Sequence, residues 1–246
     1  MLLLKKLIKK IPFAYILYFR WRYFELEQKV LKPFLLKEKG MAIDIGANEG
    51  AYTVFLRYQC KFKKIVAFEP IPELYQFIKK CFKHTSNEVE VYNIGLSDKE
   101  STLELNIPKF NRGDGHATFN KLETPHDSIS VSVKTLDSFN FTNVSFIKID
   151  VEGYEDCVLL GAKQTIIQNK PIMLIEIARC SEKQNKEIIS TVDVVNFVNE
   201  LGYKCYAVVN GSLSQVDESD ILNLQKEKNR GTPKFVYNFI FFPKDI

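Results

Sequence analysis

Ala42-Ile43-Asp44-Ile45-Gly46-Ala47-Asn48-Glu49-Gly50 is the stretch whose reading decides the fold of this 246-residue chain. Met41 to Ile45 is apolar except for Asp44, the composition of a short strand covered on both faces, and it breaks into a loop bounded by Gly46 and Gly50 before a helix begins. Glycine at both ends lets backbone come close to a ligand. Asp44 is the anomaly, because a carboxylate in such a run must find hydrogen-bond donors. It either ties down the loop's own amides or faces a bound group, and the two roles can hold together.

Downstream, strand and helix alternate. Strand Met41–Ile45 leads to a helix over Ala51–Cys60, strand Lys64–Phe68 ends in Glu69-Pro70, a helix runs from Ile71 to Phe82, and strand Val89–Ile94 closes with Gly95. This is the βαβαβ half of a doubly wound sheet. Thr102–Asn106 and Ile129–Val133 alternate apolar with polar residues, which reads as two half-buried antiparallel strands. The segment between them, Ile107 to Ser128, carries Gly113, Gly115, His116 and His126 and has the length of a lid or binding loop. Ser145–Asp150 is a second buried strand ending in a carboxylate, followed by a helix to about Asn169 and a strand Pro171–Ile177 that contains Glu176. A helix over Lys186–Leu201, a strand Lys204–Val209, a polar stretch Asn210–Thr232 and a last strand Phe235–Phe242 complete the chain. With no helix before it, the last strand is expected to insert antiparallel beside Lys204–Val209.

Upstream, residues 2–31 interleave Leu, Ile, Phe, Tyr and Trp21 with Lys5, Lys6, Lys9, Lys10, Arg20 and Arg22, the pattern of amphipathic helices broken at Pro12. The expected division is a helical arm over residues 1–39 and an α/β domain over 40–246. Residues 1–40 hold ten Lys/Arg against three Glu, or +7, so the net +4 of the chain leaves −3 for the remainder. The basic character therefore sits in the arm, which either packs on the domain or makes peripheral contact with an anionic membrane surface through residues 1–31. The longest charge-free run there, Ile11 to Phe19, is far below the roughly 20 residues that span a bilayer. Five scattered cysteines without a C-x-x-C pair argue against a disulfide framework and a zinc site. The expected location is cytoplasmic, with the arm offering a peripheral position at the inner membrane face. Nucleic acid is not an expected partner, because the remainder offers no basic groove.

Asp44, Glu69, Asp150 and Glu176 all fall at or near the carboxyl ends of strands read as parallel, the edge where open α/β sheets bind ligands. Glu69, 25 residues beyond Asp44, stands where an acidic side chain accepts both hydroxyls of a ribose. Phosphates fit less well: the loop is G-A-N-E-G, without the third glycine of a dinucleotide fingerprint, and Glu49 would repel pyrophosphate. A positively charged nucleoside such as S-adenosylmethionine suits the acidic rim better.

The motifs Asp44-Ile-Gly-Ala-Asn-Glu-Gly50, Phe68-Glu-Pro70, Asn93-Ile-Gly-Leu-Ser-Asp98, Thr135-Leu-Asp137, Ile147-Lys-Ile-Asp-Val-Glu-Gly-Tyr-Glu155 and Leu159-Leu-Gly-Ala162 resemble FkbM-type methyltransferases over about residues 40–180. The resemblance implies a class I, Rossmann-like methyltransferase with a mostly parallel sheet, S-adenosylmethionine as cofactor, and O-methylation of a sugar or glycan precursor such as a cell-surface polysaccharide. The residues expected to hold the cofactor are Asp44, Gly46, Ala47, Asn48, Gly50, Tyr52, Glu69, Pro70 and Asp150. Asp150 is expected beside the acceptor hydroxyl with Lys148 orienting the acceptor, unless Lys148 only neutralises Asp150. His116 and His126 are the histidines of the loop with a suitable pKa for a base. Asp150, Glu152 and Glu176 are hard oxygen ligands, but without dedicated ligand spacing no metal is assigned. Two other readings remain: a nicotinamide-dependent oxidoreductase on the same sheet, and a catalytically silent docking protein of a glycan-assembly complex.

Overall fold

In the computed structural model the described residues are 11–23, 25–85, 87–109, 116–177, 190–226 and 235–244. Residues 1–10, Gly113, Gly115, the start of the helix read over Lys186–Leu201 and the end of the stretch Asn210–Thr232 lie outside them. In chain order the first elements are α1 (Pro12–Phe19), α2 (Leu26–Leu35), β1 (Met41–Ile45), α3 (Ala51–Val54, continued as a π-helical turn Phe55–Gln59), β2 (Ile65–Phe68), α4 (Pro72–Cys81) and β3 (Val89–Tyr92). Then come β4 (Gly95–Leu96), β5 (Ser101–Pro108), β6 (His126–Lys134), β7 (Val144–Ile149), α5 (Glu155–Leu160), α6 (Lys163–Asn169) and β8 (Ile172–Glu176). The last are α7 (Thr191–Glu200), β9 (Tyr203–Val209), β10 (Ser212–Gln215), α8 (Glu218–Leu224) and β11 (Asn238–Pro243).

The apolar runs assemble an eight-stranded sheet in the order β10-β9-β11-β8-β7-β1-β2-β3. β1, β2, β3, β7 and β8 are parallel, and β11 enters antiparallel between β8 and β9. Every residue of β1 and β2 is buried, as continuous apolar runs in a sheet covered on both faces require. The chain builds outward from β1 to β3 in one direction and from β7 to β8 in the other. The switch point of the sheet is thus the crevice at the carboxyl ends of β1 and β7, where open α/β sheets take their ligands.

Period-two alternation separates the two faces. Ile43, Ile45, Ile147 and Ile149 face a core built with Val158, Leu159, Ile166 and Val194 from α5, α6 and α7. Ala42, Phe146 and Leu174 face the other core, which takes Tyr52 and Phe55 from α3 and Tyr15, Ile16, Leu31 and Leu35 from α1 and α2. The N-terminal helices thus cover one face of the sheet. Gln59 fastens them, its Nε2 donating to the carbonyls of Phe19 (3.3 Å) and Arg22 (2.9 Å).

Four sequence readings need correction. Strand Val89–Ile94 stops at Tyr92, and Gly95–Leu96 leaves the main sheet to pair in parallel with β6 in a second, three-stranded sheet β4-β6-β5. Asn93 makes that exit, its Nδ2 donating to the carbonyls of Glu69 (2.9 Å) and Pro70 (2.8 Å). The helix over Ala51–Cys60 widens to a π turn at Phe55. The helix after Gly153 is two helices, broken at Gly161, where a side chain would meet the Ser97 carbonyl at 2.0 Å. The stretch Asn210–Thr232 contains β10 and α8, the latter started by a capping box between Asp217 and Asp220. Among the described cysteines, Cys60, Cys81, Cys157 and Cys205 are free thiols.

Candidate functional site

The glycine loop is folded by its neighbours. Gly46 has φ +75°, and a Cβ there would sit 1.8 Å from the Asp150 carbonyl oxygen, so the ends of β1 and β7 approach as closely as they do only because the residue is glycine. The amides of Gly46 and Ala47 both donate to the Phe68 carbonyl at 3.0 Å, and Asp150 N donates to the Ile45 carbonyl at 3.1 Å. Asn48 takes the left-handed conformation (φ 51°) and directs its amide to Glu69 Oε2 at 2.6 Å. The other oxygen, Oε1, accepts from Ile71 N at 2.9 Å. Glu69 therefore ties the first and second strand-to-helix loops together.

An open cleft lies against this loop. Its polar wall is Asn48, Glu69, Asp150 and Glu152; its apolar walls are Phe68, Ile71 and Leu96, and Leu105, Ala117 and Phe119 from the second sheet and its connection. Of the residues expected to hold a cofactor, Gly46, Asn48, Glu69, Pro70 and Asp150 line the cleft. Asp44 does not. It is fully buried beneath the loop, Oδ2 accepting from Thr53 Oγ1 at 2.6 Å and Oδ1 without a protein donor. Ala47, Gly50 and Tyr52 likewise shape the loop and α3 from outside the lining.

Asp44 and Lys148 are register partners across β1 and β7, so the alternation that sends Ile43 and Ile149 to one face sends these two to the face covered by α1 and α2. Asp150 and Glu176 follow on that face. Lys148 is 5% exposed, its Nζ lies 2.8 Å from Asp150 Oδ2, and it stands over the Tyr52 ring at 5.2 Å. Burial pulls its pKa down, but the charges of Asp150, Asp44 and Glu25 outweigh that and hold it above the ordinary lysine value. Glu25, the residue before α2, belongs to this group: burial pushes its carboxyl up to about 7, Lys148 opposing, and its Oε2 is buried without a protein donor. Burial beside Asp150 pushes Glu176 up to about 9. One lysine is shared by four carboxyls. Sequence reasoning missed Glu25 altogether, because nothing local distinguishes it from the other charges of an amphipathic helix start.

His116 Nδ1 lies 3.0 Å from Glu152 Oε1, and Glu152 lines the cleft, so His116 reaches the rim through that carboxyl. His126 begins β6, its Nδ1 2.7 Å from the Thr124 carbonyl oxygen, away from the lining. Glu155 is buried behind the rim and accepts from the amides of Gly153 (3.0 Å) and Val151 (3.3 Å). It braces the Asp150 loop.

With that geometry in hand, three comparisons place the chain among known proteins. Residues 44–205 match the family model described as the methyltransferase FkbM domain. Methyltransferase 1 of Beauveria bassiana (strain ARSEF 2860) is 26% identical over 142 residues, covering 48% of this chain and 57% of that protein. The chain thus matches little more than half the length of that relative. In fold it is similar to the methyltransferase FkbM of Methylobacillus flagellatus KT (TM-score 0.53, 16% identity, 83% of this chain and 44% of that one). It is similar also to a putative rRNA methylase from Clostridium thermocellum (TM-score 0.51, 9% identity, 88% of this chain and 93% of that one).

Proposed function

The chain belongs to the FkbM methyltransferase family, and from that premise we propose that it is an S-adenosylmethionine-dependent O-methyltransferase acting on a hydroxyl of a sugar or glycan precursor. The cleft suits the cofactor chemically. Glu69, Asp150 and Glu152 put three carboxyls on one wall, which favours a cationic ligand over a diphosphate, and Glu69 at the end of the second strand stands where an acidic side chain accepts the hydroxyls of a ribose. The Leu96, Leu105 and Phe119 side is apolar and fits a nucleobase. S-adenosylmethionine supplies a methyl group activated on a sulfonium, which an oxygen nucleophile takes by in-line displacement.

The residues of the chain then divide the remaining work. Asp150, which borders both the cleft and the carboxyl group on the arm-covered face, is the residue suited to orient the acceptor hydroxyl and take its proton. Lys148 fixes Asp150 in place through the 2.8 Å ion pair.

The observation that carries the sugar reading is the polar wall of the cleft, where the carboxyls of Asp150 and Glu152 stand beside Asn48. A polyhydroxylated acceptor brings hydrogen-bond donors to that wall, which an apolar acceptor lacks. The test is transfer of labelled methyl from S-adenosylmethionine to a panel of sugar nucleotides and cell-surface glycans. Protein-dependent label in a glycan fraction, lost with Asp150→Asn, is the expected result. Label appearing in RNA or protein instead rejects the sugar acceptor and keeps the methyltransferase.

A further inference from the structure

Eight of the ten large hydrophobic side chains that the described residues leave exposed lie between Ile11 and Leu36. The concentration starts in α1, whose sequence Pro-Phe-Ala-Tyr-Ile-Leu-Tyr-Phe contains no charge at all. Tyr15 and Ile16 use one side of it to pack on the sheet domain, Tyr15 edge-on to Phe77 of α4. Phe13 (70% exposed) and Leu17 (45%), one turn apart, form a second apolar side, continued past the helix by Trp21 (76%) and Leu26 (54%). A helix apolar on all sides needs a second cover. One side of α1 thus packs on the domain, as one of the two expectations for the arm had it, and the other is exposed.

Charge decides what the cover is. Arg20 lies 5.2 Å over the Trp21 ring and Arg22 4.6 Å over the Tyr18 ring, so basic groups flank the apolar side within one turn. Tryptophan, tyrosine and arginine at the margin of a short apolar stretch is the composition of an interfacial element. Residues 1–40 carry +7 against −3 for the remainder, so a second copy seated on this face would set +7 against +7. An anionic lipid surface satisfies the apolar side and the charge at once. At eight residues α1 is about 12 Å long, and among the described residues no helix is long and apolar enough to cross a membrane, so the element would lie in the interface rather than span it. The Gln59 hydrogen bonds to the Phe19 and Arg22 carbonyls hold it rigidly on the domain.

We infer that α1 and the segment through Leu26 form a docking surface for an anionic membrane, with Phe13, Leu17 and Trp21 entering the headgroup boundary and Arg20 and Arg22 meeting lipid phosphates. Glu25, four residues beyond Trp21 in the chain, has its Oε2 buried just behind this surface, so docking would hold the arm that carries it against a bilayer on which a lipid-linked acceptor is presented. That consequence rests on the methyltransferase reading; the docking does not.

Co-sedimentation of the whole chain with vesicles of phosphatidylcholine containing phosphatidylglycerol, against phosphatidylcholine alone, tests it without reference to activity. Binding to the anionic vesicles that falls about fivefold for each of Arg20→Gln and Arg22→Gln is expected. The double variant Phe13→Ser with Trp21→Ser should lose binding at least about tenfold while melting as the parent does, because both side chains are exposed. Equal binding to neutral vesicles, or anionic binding untouched by these substitutions, overturns the proposal. A chain that ignores vesicles and dimerises in sedimentation velocity overturns it in favour of a second copy.

Discussion

Lys148 and Asp150 point to the same side of the end of β7 and pair at 2.8 Å, and the lysine's register partner across β1 is Asp44. One buried cation is thus the common counter-ion of the glycine-loop strand, the central strand and, through Glu25, the N-terminal arm. The pairing makes Asp150 a fixed group at the cleft rather than a mobile surface carboxylate.

Asp150→Asn keeps the shape and removes the charge. If Asp150 takes the acceptor proton, kcat falls about 10²–10⁴-fold, the usual contribution of general acid–base chemistry, while affinity for S-adenosylhomocysteine changes far less. Steady-state kinetics with near-normal kcat and a raised acceptor KM would make it a binding residue and bring His116, held by Glu152, forward as the base.

Glu69→Ala removes the acceptor of two amides, Asn48 N and Ile71 N, as well as the expected ribose contacts. Affinity for S-adenosylhomocysteine should weaken by about 2–4 kcal/mol in a calorimetric titration, and the melting temperature should fall with it. An unchanged dissociation constant with a lowered melting temperature would leave Glu69 a loop brace only.

Burial pushes the Glu155 carboxyl up to about 8, from 4.5 in the unfolded chain, against the opposing amides of Gly153 and Val151. The folded protein keeps a proton that the unfolded chain releases, so this contribution is full below about pH 4.5 and is lost as pH rises through about 8. Glu155→Gln should therefore flatten the pH dependence of stability between these limits by up to about 1 kcal/mol per pH unit. Denaturant titrations at pH 5 and pH 8 that differ as much in the variant as in the parent would contradict it.

Deleting residues 1–39 should leave an unstable remainder. Tyr15, Ile16, Leu31 and Leu35 are all buried against the sheet, and at about 1.5–3 kcal/mol each their loss is comparable with the 5–15 kcal/mol that holds a typical domain folded. A truncated chain with an unchanged melting temperature would mean that the arm only rests on the domain.

The parallel half of the fold was legible because β1, β2, β7 and β8 are apolar runs bounded by turn signals, and the carboxyl-end rule brought Glu69 and Asp150 to one crevice. What escaped is non-local. Gly95–Leu96 is two residues long, and its membership of a second sheet is set by Val133 and Lys134, almost forty residues away. The apolar wall of Leu105, Ala117 and Phe119 comes from a sheet whose placement over the cleft leaves no periodic trace. Glu25 lies outside the family match, and only the packing of α2 brings it to Lys148. Asp44 was rightly singled out as a buried carboxylate with something to satisfy, but what it meets is Thr53 and the field of Lys148 beneath the cleft.

The central claim is that the cleft at the switch point between β1 and β7 takes a cationic nucleoside, and calorimetric titration of the whole chain with S-adenosylhomocysteine, with NAD as the comparison ligand, tests it most directly. Saturable one-to-one binding of S-adenosylhomocysteine with no detectable heat from NAD is the predicted result; NAD binding, or no binding of S-adenosylhomocysteine by a folded chain, would contradict it.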